Sequence, residues 1–165
     1  MKDLDFSKEI RSAIRRGDIS QVSTLLGSHP DKINMITPFG TWLHVASRVG
    51  NLDMVKRLVE LGADINMAAG TYEAGPLITA ISSGYIEIVK YLLSLGVKID
   101  LSEPFRNPIF VAIYDGRLDI VKLLIEHDVD TTVKYTGENM KDMDALALAR
   151  ERNQLEIAEF LADRK

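Results

Sequence analysis

The sequence predicts an all-α solenoid of five helix-turn-helix repeats, and three observations predict it. A short helix, a glycine turn and an amphipathic second helix form one unit, clearest at residues 40–66, GTWLHVASRVGNLDMVKRLVELGADIN. The turn residue recurs as Gly17, Gly50, Gly84, Gly116 and Asn153, at intervals of 33, 34, 32 and 37 residues. Four residues before each turn stands an alanine, Ala13, Ala46, Ala80, Ala112 and Ala149, the small side chain expected where first helices of neighbouring units pack closely. Self-similarity at such a period marks a repeat architecture, in which each unit buries its apolar face only against its neighbours.

In the first unit, DFSKEIRSAIRRGDISQVSTLLGSHPDKIN, Ser7 is the expected N-cap and Arg11, Arg15 and Arg16 add charge, so this copy reads as an end cap. In the second, Thr41 caps a helix carrying Leu43, Val45, Ala46 and Val49. Gly50 reverses the chain, and Leu52, Val55, Leu58 and Val59 form the stripe of a second helix that Gly62 ends. The third and fourth units begin Gly75-Pro76 and Asn107-Pro108, a cap before a proline whose missing N–H costs nothing there. Second helices repeat as VSTLL at 22–26, MVKRLV at 54–59, IVKYLL at 88–93, IVKLLI at 120–125 and IAEFLA at 157–162. Leu92, Leu93, Leu123 and Leu124 are expected in the core, while Lys56, Arg57, Glu60, Glu87, Lys90, Asp119, Lys122 and Glu126 make a solvated face of mixed sign. The fifth unit starts at Asp144-Ala145, exchanges glycine for Asn153 and ends in charge, as a second cap.

Ahead of the internal units the chain is rich in turn formers: Thr37-Pro38-Phe39-Gly40, Gly70-Thr71-Tyr72-Glu73-Ala74 and Ser102-Glu103-Pro104-Phe105-Arg106. These are expected to project as fingers. The stretch VKYTGENMKDM at 133–143 is longer, which accounts for the interval of 37, and long connections are often functional.

Composition narrows the function. The 165 residues, 46% hydrophobic, suit one domain over 1–165, with repeats at about 5–36, 37–69, 70–102, 103–132 and 133–165. Twenty basic against 24 acidic residues leave −4, which disfavours nucleic acid and anionic membrane. No cysteine, no apolar h-region and no membrane-length apolar run make a cytoplasmic location the expectation. His29, His44 and His127 fall in different units without metal-ligand spacing, so neither metal nor cofactor is expected. Ser82-Ser83-Gly84 ends a helix and is no nucleophile elbow, and residues 70–75 lack the lysine of a phosphate loop. The chain does not read as an enzyme, and no catalytic residue is assigned.

The run TWLHVASRVGNLDMVKRLVELGADIN resembles an ankyrin repeat, with Thr41, Leu43, His44, Ala46, Gly50, Val55, Leu58, Gly62, Ala63, Asp64 and Asn66 matching that family's pattern. The resemblance extends over residues 5–163. Trp42 stands where the family has proline, and Ile78, Phe110 and Ala147 stand where it has histidine, so the threonine–histidine hydrogen bonds are expected in the second unit alone. The family's architecture implies a concave face, built from fingers and first helices, that binds another protein. The positions it implies are Thr37, Phe39, Trp42 and Arg48; Tyr72 and Glu73; Phe105, Arg106, Tyr114 and Asp115; then Tyr135, Lys141, Glu151 and Arg152. Aromatics and arginine dominate, the residue types that carry binding energy at protein interfaces. Whether Phe39, Trp42 and Phe105 project or pack between fingers stays open at this point.

A narrower resemblance concerns PFGTWLHVA and KYTGENMKDMDALALARERNQLEIAEFLA. They look like small single-domain bacterial ankyrin proteins that serve as immunity proteins to polymorphic toxins. That implies a protein, monomeric by itself, which covers a toxin's active or functional surface; the alternative is a regulatory or scaffolding adaptor that bridges other proteins.

Overall fold

A computed structural model describes residues 3–70 and 72–164; Thr71, placed above in a finger, lies outside them, as do Met1, Lys2 and Lys165. The chain divides into two compact units, Met1–Val97 and Lys98–Lys165.

The first unit is a stack of three helical hairpins: α1 (Asp3–Arg16) with α2 (Ile19–Ser28), α3 (Trp42–Val49) with α4 (Leu52–Glu60), and α5 (Pro76–Ser83) with α6 (Ile86–Ser94). First helices pack in the order α1, α3, α5 and second helices in the order α2, α4, α6. Ala13, Ala46 and Ala80 lie on this seam, fully buried, where a larger side chain would hold the helices apart. Around them Ile10, Ile14, Leu43, Met54, Leu58, Ile81 and Leu92 are buried, each contributing about 1.5–3 kcal/mol of transfer free energy. Hairpin reversal depends on local chemistry. Gly50, at φ 83, donates its N–H to the Ala46 carbonyl at 3.0 Å, and a Cβ added there would enter the ring of Tyr85.

One expectation about this unit is corrected, and a question the sequence left open is answered against the binding role assigned to Trp42. Ser7 is not the cap of α1, which begins at Asp3; Asp3 and Asp5 occupy its first turn, where carboxylates favour the positive end of the helix dipole. Ser7 instead points its hydroxyl at Met35 Sδ, 3.7 Å away. Trp42 does not project. It is 0% exposed, its indole N–H donates to the Lys32 carbonyl at 2.9 Å, and its ring meets Phe6 edge-on at 6.4 Å. The first position of a helix aims its side chain back towards the preceding chain, and here that chain is the first hairpin, whose Phe6 also carries His29 at 5.0 Å and the Lys32 ammonium at 4.7 Å.

The second unit stacks two hairpins, α7 (Pro108–Tyr114) with α8 (Leu118–Glu126) and α9 (Ala145–Glu151) with α10 (Leu155–Ala162). Asn107 and Asp144 start the first helices, accepting the N–H groups of Ile109 and Ala147 at 2.9 Å. Leu123 and Leu124 are buried, as is Leu92 in the first unit, but Leu93 is only half-buried because its turn of the helix faces outward. Asn153 takes glycine's place in the turn at φ 56, a conformation its short polar side chain tolerates. The long connection is a finger made of secondary structure: β1 (Tyr135–Gly137) and β2 (Met140–Met143) pair antiparallel, Tyr135 opposite Met143 and Gly137 opposite Met140.

Ser47 Oγ is buried in α3 and, among the described residues, has no hydrogen-bond partner. Ser47→Ala is therefore expected to raise stability in a urea titration by about 1 kcal/mol. Leu123→Ala should cost about 2–5 kcal/mol in the same titration, and unchanged stability would refute its packing between hairpins.

Candidate protein-binding surface

In the first unit, the finger at 37–40 and the finger ending at Ala74 flank the exposed turns of α3 and α5. Thr37 shapes its own turn: its hydroxyl donates to the Gly40 carbonyl at 2.8 Å and accepts the Phe39 N–H at 3.1 Å, and the Thr37 and Gly40 backbones bond to each other both ways. Phe39 is thereby held out at the fingertip, 41% exposed. The Arg11 guanidinium lies over its ring, 4.2 Å from the centroid, and Arg48 donates to its carbonyl at 3.4 Å. Tyr72, 57% exposed, stands on the next finger beside the exposed Glu73. Between them is a cleft of about 210 Å³ lined by Phe39, His44, Arg48, Tyr72, Ile78 and Ser82 among others.

His44 fixes the two fingers to each other. The Thr41 backbone N–H donates to its Nδ1 at 3.2 Å, so Nδ1 is an acceptor and also takes the Thr41 hydroxyl at 2.9 Å. The proton then resides on Nε2, which donates to the Ala74 carbonyl of the next finger at 2.8 Å. Burial disfavours the charged imidazolium and lowers the His44 pKa; the Ala74 carbonyl opposes this and the nearby Arg48 charge adds to it. A neutral, single-tautomer histidine is the result.

In the second unit the rings and charges form another group. Phe105, 44% exposed, lies 5.9 Å from the Tyr114 ring, and the Arg152 guanidinium covers Tyr114 at 3.9 Å. Arg106 pairs with Asp100 at 3.7 Å. Asp115 and Glu151 are exposed beside Tyr114 and Arg152 in sequence, and partial burial raises the Asp115 pKa despite the Arg117 charge. Lys141 is exposed on β2.

Tyr135 has a different task. Its hydroxyl donates to the Leu101 carbonyl at 2.7 Å and accepts the Asn107 amide at 3.1 Å, while its ring meets Phe110 edge-on at 4.8 Å. It anchors the β-hairpin to the base of α7, and burial raises its phenol pKa. Trp42, buried as described, offers nothing to a partner. Sequence reasoning passed over Arg11 as a contact to Phe39, and passed over Ile78 in the cleft. The available signal for Arg11 was helical spacing: Leu4, Lys8, Arg11 and Arg15 share one stripe of α1.

No group of three His, Cys, Asp or Glu among the described residues is placed to hold a metal, and no described helix is long and apolar enough to cross a membrane.

Comparison with known proteins fits this geometry. A family profile described as ankyrin repeats (3 copies) matches residues 10–103 and again 100–165. Human protein phosphatase 1 regulatory subunit 27 is 43% identical over 90 residues, 53% of this chain and 56% of that protein. A putative ankyrin repeat protein of Rickettsia felis is 28% identical over 128 residues, 73% of this chain and 55% of that protein. The chain thus spans about half the length of these curated relatives.

The depressed His44 pKa has a pH consequence. The unfolded chain, with histidine near 6.5, binds a proton that the fold resists, so stability is full above that pH and falls as pH drops below it. Urea midpoints measured from about pH 8 to about pH 5 should decline in the wild type and decline less in His44→Gln, which has no titrating ring.

Proposed function

Because the chain belongs to the ankyrin-repeat family, whose repeats are protein–protein interaction modules, we propose that it is a non-catalytic regulator acting by occupancy: it binds a partner protein and covers a surface that the partner needs. The observation that carries this reading is the presentation of large rings with guanidinium groups stacked on them, Phe39 with Arg11 in the first unit and Tyr114 with Arg152 in the second, together with Tyr72 of the first unit at 57% exposure. Aromatics and arginines held on rigid turns lose little freedom on binding and are the usual carriers of interface energy. The proposed contacts are Phe39, Arg48, Tyr72 and Glu73 in the first unit, and Phe105, Arg106, Tyr114, Asp115, Glu151 and Arg152 in the second, with Lys141 on the β-hairpin.

Similarity to a protein named as a phosphatase regulatory subunit favours stoichiometric regulation as the form this takes. The immunity-protein form rests on the sequence resemblance alone, and neither relative named above is described as one. Much of the run PFGTWLHVA is accounted for by folding: Gly40, Thr41, Trp42 and His44 are buried in packing and hydrogen bonds. Co-expression with a toxin encoded nearby tests it, and an adaptor would capture two proteins at once where a regulator captures one.

Affinity capture from the native source, followed by calorimetry with the purified partner, tests the general reading. Tyr72→Ala and Tyr114→Ala are each expected to weaken binding by about thirtyfold, the loss typical of an interface residue that carries about 2 kcal/mol. A partner bound equally by both variants and the wild type would refute these surfaces.

A further inference from the structure

The two aromatic groups differ in charge. In the second unit the cations have acidic company: Arg106 pairs with Asp100, and Asp115 and Glu151 are exposed nearby in sequence. In the first unit Glu73 is exposed beside Tyr72, but the cations around Phe39 are left without a carboxylate among the described residues. Lys8, Arg11 and Arg15 fall on one stripe of α1 at helical spacing, and Arg48 reaches the same fingertip from α3. Among the described residues, none of these four lies within salt-bridge distance of a carboxylate, although Lys32, Arg57, Lys90 and Arg106 each find one. Arg11 spends its guanidinium on the Phe39 ring and makes no hydrogen bond among the described residues; Arg48 makes one, long, to the Phe39 carbonyl.

A protein of net charge −4 would lower its energy by placing some of its 24 acidic residues beside such a stripe, yet here positive charge is left uncompensated around an exposed ring. Arg11 meets the cleft of about 210 Å³ through the Phe39 ring and Arg48 lines it directly, with Tyr72 and Ile78 among the other walls, which is room for one or two apolar side chains. We propose that this face of the first unit docks an acidic peptide segment of the partner, with an aromatic or aliphatic side chain seated in the cleft and flanking carboxylates on Arg48 and Arg11. Charge-assisted bonds to carboxylate suit guanidinium groups whose donors are unspent, and the low exposure of the cleft floor, where His44 is buried, strengthens them. Nucleic acid is the lesser fit: the overall charge repels a polyanion, and the basic stripe is short.

The proposal rests on the partner-binding reading, and its test separates the two. A random peptide library displayed on phage is selected against the intact protein. The selected peptides are expected to be enriched in Asp and Glu around one aromatic or aliphatic residue. A synthetic copy of such a peptide should bind at least about tenfold more weakly to the Arg11→Glu/Arg48→Glu double variant, since like charges meet there, and less tightly as salt rises. The Arg11→Gln/Arg48→Gln variant should lose less, and thermal melts by circular dichroism should show all three proteins folded alike. Selection of no peptide, selection of peptides without acidic residues, or equal binding by the charge-reversed variant overturns the proposal. So does tight binding of a fluorescent oligo-dT that needs the same arginines, or concentration-dependent self-association abolished by the reversal. A captured partner protein that Tyr72→Ala releases but Arg11→Glu/Arg48→Glu does not would sink the acidic-peptide assignment while leaving partner binding intact.

Discussion

Close approach of neighbouring first helices is the constraint on which the rest of each unit depends. A hairpin of two short helices cannot bury its apolar face alone, so every copy needs another against it. The contact is possible because Ala13, Ala46, Ala80, Ala112 and Ala149 are all buried on the packed faces of their helices with nothing beyond a methyl group to interpose. From this follow the tight turns, since a hairpin that must stack has to reverse within a few residues, and the left-handed residues Gly17, Gly50, Gly84, Gly116 and Asn153 that accomplish it.

The same constraint decides what is left for a partner. Stacking consumes the faces of α1, α3 and α5 in one unit and of α7 and α9 in the other, leaving the fingers and the last turns of these helices in solvent. Finger shape is then set by local polar chemistry: Thr37 with Gly40, His44 with Thr41 and Ala74, and Tyr135 with Asn107 and Leu101. In the third and fourth repeats proline and an asparagine cap replace the histidine device, and the β-hairpin is secured by a tyrosine instead. A rigid finger loses less entropy when a partner orders it, which is why such groups suit binding.

The first repeat is joined to the second by contacts distant in sequence. Phe6, His29, Lys32 and Trp42 form one packed cluster that seals the first hairpin against the second, and the outward stripe of α1 is basic. Trp42 belongs to this seal. Its departure from the family's proline, which looked like a mark of the binding surface, is a packing substitution: a large ring fills space between hairpins that a proline would leave empty.

The sequence by itself determined the repeat number, the alanine seam, the turn residues and the caps at Asn107 and Asp144, because each is fixed by interactions within one copy or repeated between copies. It also named Phe39, Arg48, Tyr72, Phe105, Arg106, Tyr114 and Arg152, since residue type and position in a repeat are both local properties. What the tertiary structure decided was direction and company. That Trp42 points inward, that Tyr135 holds a hairpin and that Arg11 covers Phe39 all depend on chain segments distant in sequence, as with the 28 positions that separate Asn107 from Tyr135. Periodicity specifies which face a side chain occupies on its own helix; only the packed neighbour specifies what it meets there.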